Sequence, residues 1–187
     1  LYNTYSFFAL YANVDGFTGA EAEIPVEQRP EIDRWIISLL NTLVKNVTEC
    51  LEGYDPTPAA RMIQEFVGEN LSNWYVRLNR KRFWGGGMTD DKLAAYQTLY
   101  TCLETVVKLS APFAPFISDR IFTDLNAVSG RHSAESVHLA EFPVVDETLV
   151  NSELEEMTKN NNRLFLIGLF KRFINRKFIF FSIFIRN

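Results

Sequence analysis

Histidine and cysteine are scarce in this sequence, with two of each among 187 residues. Cys50 and Cys102 lie in apolar runs and have neither CxxC spacing nor a histidine partner. His132 falls in a turn and His138 in an extended segment, without an HExxH motif. These absences argue against a zinc site, so we assign no metal. They predict buried free thiols, as in a reducing compartment, and histidines with a surface or structural role.

Phosphate-loop and catalytic motifs are also missing. The triplet Gly85–Gly87 lacks GxGxxG and Walker spacing, so it predicts a flexible helix stop rather than a nucleotide site. Carboxylate pairs such as Glu155 and Glu156 lie on a helix that faces solvent, where exposed charge is their ordinary role. The sequence therefore predicts no catalytic residue and no cofactor in this chain.

Long hydrophobic runs are absent, and the charge is unevenly distributed. Residues 163–187 carry six cations and no acid. Removing these six charges from the net charge of −4 leaves −10 for residues 1–162. A body this acidic does not attract nucleic acid as a whole, so any such binding must use a local basic patch.

The two ends of the chain differ from its middle. Leu1 opens a helical run with no capping residue, which predicts that the chain begins inside a larger protein. Residues 158–187 use almost only Asn, Arg, Lys, Leu, Ile and Phe. Such a tail could form a basic helix at a membrane surface. We favour an out-of-frame read of DNA rich in adenine and thymine, and exclude this tail from the fold.

Apolar residues recur at helical spacing through most of residues 1–157. The pattern predicts an all-α, up-and-down helical bundle over this range, with 1–14 helical rather than extended. Thr57 before Pro58, and Thr89 before two aspartates, are typical helix starts. A segment that follows residue 136 is expected to be extended before the chain turns toward another helix.

The stretch NWYVRLNRKRFWGGG, residues 73–87, concentrates cations and aromatic rings at the end of one predicted helix. At 100° per residue, Trp74, Tyr75 and Leu78 fall on the side of the core, and Arg82 points back toward the bundle. The opposite face carries an amide, two guanidiniums and an indole, from Asn73, Arg77, Arg80 and Trp84, with Lys81 beside them. Such a face can pair with phosphates and stack on an unpaired base, which makes it a candidate RNA surface. The alternative is an ordinary solvated helix end, where cations favour the helix dipole.

Four segments, in order, resemble the anticodon-binding helical domain of isoleucyl-tRNA synthetases: LYNTYSFFALYANVDGF, NWYVRLNRKRFW, LSAPFAPFISDRIFTDL and SVHLAEFP. The resemblance covers residues 1–157. The APFAPF helix is shared with the valyl, leucyl and methionyl relatives and marks only the class I group. The motif that starts at Asn73 is what indicates the isoleucyl enzymes.

The resemblance implies an enzyme that uses ATP and Mg to join isoleucine to its tRNA, tRNA-Ile. Such an enzyme is expected to be a monomer in the cytoplasm that does not bind a membrane. The ATP signatures of the family would lie upstream and its zinc segment downstream, so this fragment alone is expected to be inactive. The resemblance implies that this domain docks on the anticodon stem and loop. The outward positions on the helix then select the tRNA-binding residues Asn73, Arg77, Arg80 and Trp84, with Lys81 as a flanking phosphate contact. Trp74 and Tyr75 are expected in the core. The alternative is a free-standing helical module that binds tRNA or a protein and has no ligase activity.

Overall fold

The computed structural model describes residues 1–159. The chain divides into two units, and the boundary lies between Val150 and Asn151. In the second unit, residues 152–159 are helical. The boundary predicted at residue 157 stays a prediction, and the predicted tail lies outside the described residues except for positions 158 and 159.

The first unit is built from helices, and the described residues contain no strand. The helices are α1 (Tyr2–Asp15), α2 (Glu31–Glu52), α3 (Pro56–Glu65), α4 (Arg77–Trp84), α5 (Asp90–Ser110) and α6 (Pro115–Ser129). A π-helical segment, Phe66–Val76, joins α3 to α4 without a break, and short 3₁₀ turns span Val26–Gln28, Val137–Leu139 and Glu147–Leu149. The predicted all-α bundle is confirmed.

Helix α5 is the centre of the bundle and packs against α1, α2, α3, α4 and α6. Its side chains are buried on nearly every side, and Leu99, Leu103 and Val106 are fully inaccessible to solvent. The helix begins as predicted, because the Thr89 side chain accepts a hydrogen bond from the Lys92 backbone N–H. This cap fixes the start of the helix on which the others pack.

Aromatic rings join α1 to the centre of the bundle. The Phe8 ring meets Phe17, Tyr96 and Tyr100 edge-on, and the Phe83 and Tyr96 rings lie 5.0 Å apart at 84°. Edge-to-face pairs of this kind add to the stabilisation that burial of the rings supplies. The aromatic segment at residues 1–14 is therefore helical rather than extended, as predicted, and its rings pack on α5.

One local prediction is wrong and another holds only in part. Helix α3 begins at Pro56 and has no side-chain cap, so Thr57 lies inside its first turn and does not cap it. Proline is suited to the first helical position because its φ is fixed and its missing N–H has no helical partner, which moves the start forward. The segment after residue 136 was expected to be extended before a turn toward another helix. It forms 3₁₀ turns at Val137–Leu139 and Glu147–Leu149, but Ala140 and Asp146 are extended, residues 140–146 form neither helix nor strand, and a helix follows at 152–159.

The cysteines and histidines are mostly structural. Both cysteines are free; Cys102 is buried as predicted, and burial raises the pKa of its thiol, whereas Cys50 is only half-buried. The His132 ring contacts the Glu104 carboxylate, and its backbone N–H donates to Asn126. No group of three potential metal ligands forms among residues 1–159, and none of the helices described there has the length and apolar character of a membrane span.

Replacing Thr89 with alanine removes the cap acceptor of α5. We expect a loss of about 1 kcal/mol in the free energy of unfolding, which lowers the Tm by about 2–4 °C in a domain of this size. Thermal unfolding followed by circular dichroism measures the change. Thr89→Ser keeps the hydroxyl acceptor and serves as the control, and an unchanged Tm for Thr89→Ala would contradict the role of the cap.

Candidate nucleic-acid interface

The candidate surface lies on the continuous helical run formed by α3, the π-helical segment and α4. Hydrogen bonds in a π-helix close over one more residue than in an α-helix, so each turn holds more residues. The buried positions here recur every four residues, at Leu71, Tyr75, Asn79 and Phe83. In an α-helix this spacing would drift by about 40° at each step. In the π-helical segment, which ends at Val76, each residue rotates by less than in an α-helix, and this offsets the drift that accumulates in α4. The four buried side chains therefore stay on the core side.

This register corrects one position of the sequence prediction. Leu78 was expected on the apolar face, but its side chain is 51% exposed, and Asn79 is buried instead. The projection at 100° per residue assumed an α-helix from residue 71 onward. The π-helical segment rotates less per residue and so delays the register by one residue before α4 begins.

All five predicted tRNA-binding side chains are exposed. We call them the basic stripe: Asn73, Arg77, Arg80, Lys81 and Trp84. The last four lie within α4, whose α-helical geometry places Arg77, Lys81 and Trp84 on one side at spacings of four and three residues. Trp84, the last residue of the helix, is 58% exposed.

The side chains of the basic stripe differ in their contacts. Asn73 Nδ2 donates to the Glu69 carboxylate over 3.2 Å, so an acid adjoins this end of the stripe. Across the part of the chain that the structure describes, Arg77, Arg80 and Lys81 form no ion pair. Their charges are thus directed to solvent, where an anionic ligand can reach them.

The two neighbouring aromatic residues belong mainly to the core, as expected. Tyr75 is fully buried, and its hydroxyl donates to Asp33 Oδ1 over 2.8 Å. Burial, followed by the charge of Asp33, raises the pKa of Tyr75 well above its ordinary value. Trp74 is half-buried.

Arg82 turns inward, as the projection indicated, and pairs with a carboxylate that has no exposure to solvent. Its Nη1 and Nη2 atoms donate to the two Asp33 oxygens over 2.7 and 2.8 Å. Burial by itself would lower the pKa of Arg82, but the hydrogen bonds and charge of Asp33 outweigh it and raise the pKa. The pair joins the start of α2 to α4.

A buried lysine holds the chain just beyond the stripe. Lys92 is 3% exposed, and its Nζ donates to the Gly85 carbonyl over 2.7 Å and to Asp15 Oδ2 over 2.6 Å. The end of α4 is therefore fixed to α1 and α5. Of the triplet, only Gly87 has a left-handed backbone, with φ of 74°.

Sequence reasoning missed both Asp33 and Lys92. A signal existed for Asp33, because its position relative to Ile36, Ile37 and Leu40 places a carboxylate on the apolar face of α2. A carboxylate buried in that position requires a cation partner. The spacing turned Arg82 toward the bundle, but no signal in the sequence paired it with Asp33, which lies 49 positions away.

The family described as the anticodon-binding domain of tRNA ligase matches residues 33–167 of the chain. The chain belongs to this family. The match includes the whole basic stripe and both members of the Asp33–Arg82 pair. This anticodon-binding domain therefore carries its exposed cations and its buried ion pair within the region that defines the family.

Relatives of this anticodon-binding domain are isoleucine–tRNA ligases. The chain is 68% identical to the ligase of Bacteroides fragilis over 155 residues, which are 83% of this chain and 14% of that protein. It is 65% identical to the ligase of Cytophaga hutchinsonii over 156 residues, with the same shares. With the ligase of Dehalococcoides mccartyi it shares 51% identity over 155 residues, 83% of this chain and 15% of that one. The resemblance found in the sequence is confirmed, and the chain spans about one-seventh of the length of these relatives.

The charge around Trp84 can be measured by quenching of tryptophan fluorescence. We expect the ratio of iodide to caesium quenching of the exposed emission to exceed that of a free, uncharged tryptophan derivative, because Arg80 and Lys81 raise the local concentration of anions. Trp84→Phe should remove the accessible component, and Arg80→Ala should reduce the preference for iodide. A ratio equal to that of the free derivative would show that the ring does not lie in a positive field.

Proposed function

We propose that this chain is the anticodon-binding part of an isoleucine–tRNA ligase, and that the basic stripe contacts the anticodon stem and loop of tRNA-Ile. One observation supports this location for the contact. Three cations and an indole face solvent together on α4, whereas the next cation along the helix, Arg82, pairs with the buried Asp33. The names of the relatives support the choice of ligase and of tRNA.

The proposal follows from charge and from the chemistry of RNA. The guanidinium groups of Arg77 and Arg80 can each form paired hydrogen bonds to a phosphate, and Lys81 can add a point charge. Trp84 offers a flat, exposed ring on which an unpaired base can stack. Residues 1–162 carry a net charge of −10, so the rest of the surface repels RNA and favours binding at the stripe.

The remaining chemistry of the ligase would belong to the part of the enzyme outside this chain. In this proposal the complete enzyme joins isoleucine to tRNA with ATP and Mg, and acts as a monomer in the cytoplasm. The resemblance to isoleucyl-tRNA synthetases supports these assignments. The alternative of a free-standing module is not favoured, because the relatives reported above are ligases.

Substitution of the stripe arginines tests the phosphate contacts. Arg77→Ala and Arg80→Ala should each weaken binding of an isoleucine tRNA transcript and reduce the slope of log K against log salt by about one unit. Fluorescence anisotropy over a series of salt concentrations measures both quantities. Arg61→Ala removes an arginine of α3 that is also exposed and is the control. Weaker binding with an unchanged slope would contradict direct contact with phosphates.

Trp84 tests the stacking contact separately from charge. Trp84→Ala should cost about 1–3 kcal/mol of binding free energy, whereas Trp84→Phe should retain much of it because the ring remains. Neither change should alter the salt slope, since no charge is removed. Equal losses for the two variants would argue that Trp84 supports the helix end rather than a base.

A further inference from the structure

The guanidinium of Arg82 has no donor left for RNA. Nε donates to Asp91 Oδ2 over 3.0 Å, and Nη1 donates to Asp33 Oδ1 and to Asn79 Oδ1 over 2.7 and 3.0 Å. Nη2 donates to Asp33 Oδ2 over 2.8 Å and to the Asp91 carbonyl over 2.6 Å. A guanidinium has five N–H donors, and all five are used here. A phosphate could bind Arg82 only by replacing one of these acceptors.

The acceptors come from three different helices. Asp33 lies in α2, Asn79 in α4 and Asp91 in the first turn of α5. The Asp33 carboxylate is fully buried and also accepts from the Tyr75 hydroxyl, so it cannot shift toward solvent without losing that bond. The two parallel bonds of a guanidinium–carboxylate pair fix its plane as well as its distance. Arg82 is thus held against rotation relative to α2 and α5.

The same constraint acts on the basic stripe, because Arg82 is adjacent to Lys81 and lies two residues from both Arg80 and Trp84. A rotation of α4 by about 20° would move a point about 6 Å from its axis by about 2 Å. Hydrogen bonds to phosphate tolerate only a few tenths of an ångström. The direction of α4 therefore decides whether the stripe side chains can reach their ligand together.

We propose that Arg82 is a positioning residue for RNA binding, which with Asp33 fixes the direction of the basic stripe and does not itself contact RNA. This inference rests on the proposed function of the stripe. It separates the four cations of residues 77–82 into three that bind and one that orients them.

Asp33→Asn separates positioning from charge. If Arg82 acts only through its charge, removing a nearby negative charge should strengthen tRNA binding. If Arg82 positions α4, losing its paired hydrogen bonds to the Asp33 carboxylate should instead weaken tRNA binding, by about tenfold. Asp124→Asn in α6 also removes one negative charge, from a carboxylate that pairs with Arg120 and accepts from Tyr5, so it is matched in charge. It should leave binding nearly unchanged.

Arg82→Lys completes the test, because lysine keeps the positive charge but lacks the planar guanidinium that forms two parallel hydrogen bonds. We expect it to weaken binding of an isoleucine tRNA transcript to the 187-residue chain by about tenfold and to reduce the salt slope. When Arg82→Lys is added to the triple variant Arg77→Ala, Arg80→Ala, Lys81→Ala, it should change the remaining tRNA affinity by less than about twofold. An equal loss in both backgrounds would show a structural effect unrelated to the stripe and would overturn the proposal. The proposal would also be overturned if Arg82→Lys bound tRNA with the affinity and the salt slope of the unmodified chain.

The stability of each variant is measured alongside its affinity, with binding recorded well below the lowest Tm. Leu125→Ala, at a buried position of α6, supplies a destabilised chain with an intact stripe and should bind normally. Should Asp33→Asn fail to fold, Tyr75→Phe removes a single bond to Asp33 and should produce a smaller loss in the same direction. If the triple variant binds as well as the unmodified chain, the proposed function itself fails. If only the triple variant loses affinity, the positioning role fails.

Discussion

The ion pair between Asp33 and Arg82 is the interaction on which the arrangement of α4 depends. A carboxylate with no solvent exposure is costly to bury, and it is stable only when its oxygens are paired. Asp33 meets this requirement with two bonds from Arg82 and one from Tyr75. These contacts join residues 49 and 42 positions apart in the sequence and draw α2, the π-helical segment and α4 together.

The cations near the end of the helical run have different roles because they differ in position, not in type. Arg77, Arg80 and Lys81 extend from the outer side of α4, whereas Arg82 reaches Asp33 and Asp91. Lys92 is likewise directed inward and holds the Gly85 carbonyl. A basic composition at a helix end is by itself explained by the helix dipole. What distinguishes this surface is that its internal cations hold the helix while its external ones remain exposed.

Sequence periodicity predicted the helices, the Thr89 cap and the outward positions of the basic stripe. It succeeded there because α2, α4 and α5 are regular α-helices, and because α2 and α4 each keep one face in solvent. It failed at Leu78, since a single sequence carries no mark of the change from α- to π-helical hydrogen bonding. It also could not identify Arg82 as the partner of Asp33, because two residues so far apart in the chain meet only through the packing of their helices. The RNA contacts of the stripe stay predictions.

The π-helical segment and the buried ion pair are parts of one arrangement. The register after this segment turns Asn79 inward and Leu78 outward. Asn79 Nδ2 then donates to the Tyr75 carbonyl over 2.8 Å, while its Oδ1 accepts from Arg82. A leucine in that place would offer no acceptor, and one guanidinium donor would be buried without a partner, which is unfavourable. The local change in helical pitch thus completes the hydrogen bonding of Arg82, and through Arg82 it determines which surface α4 presents to solvent.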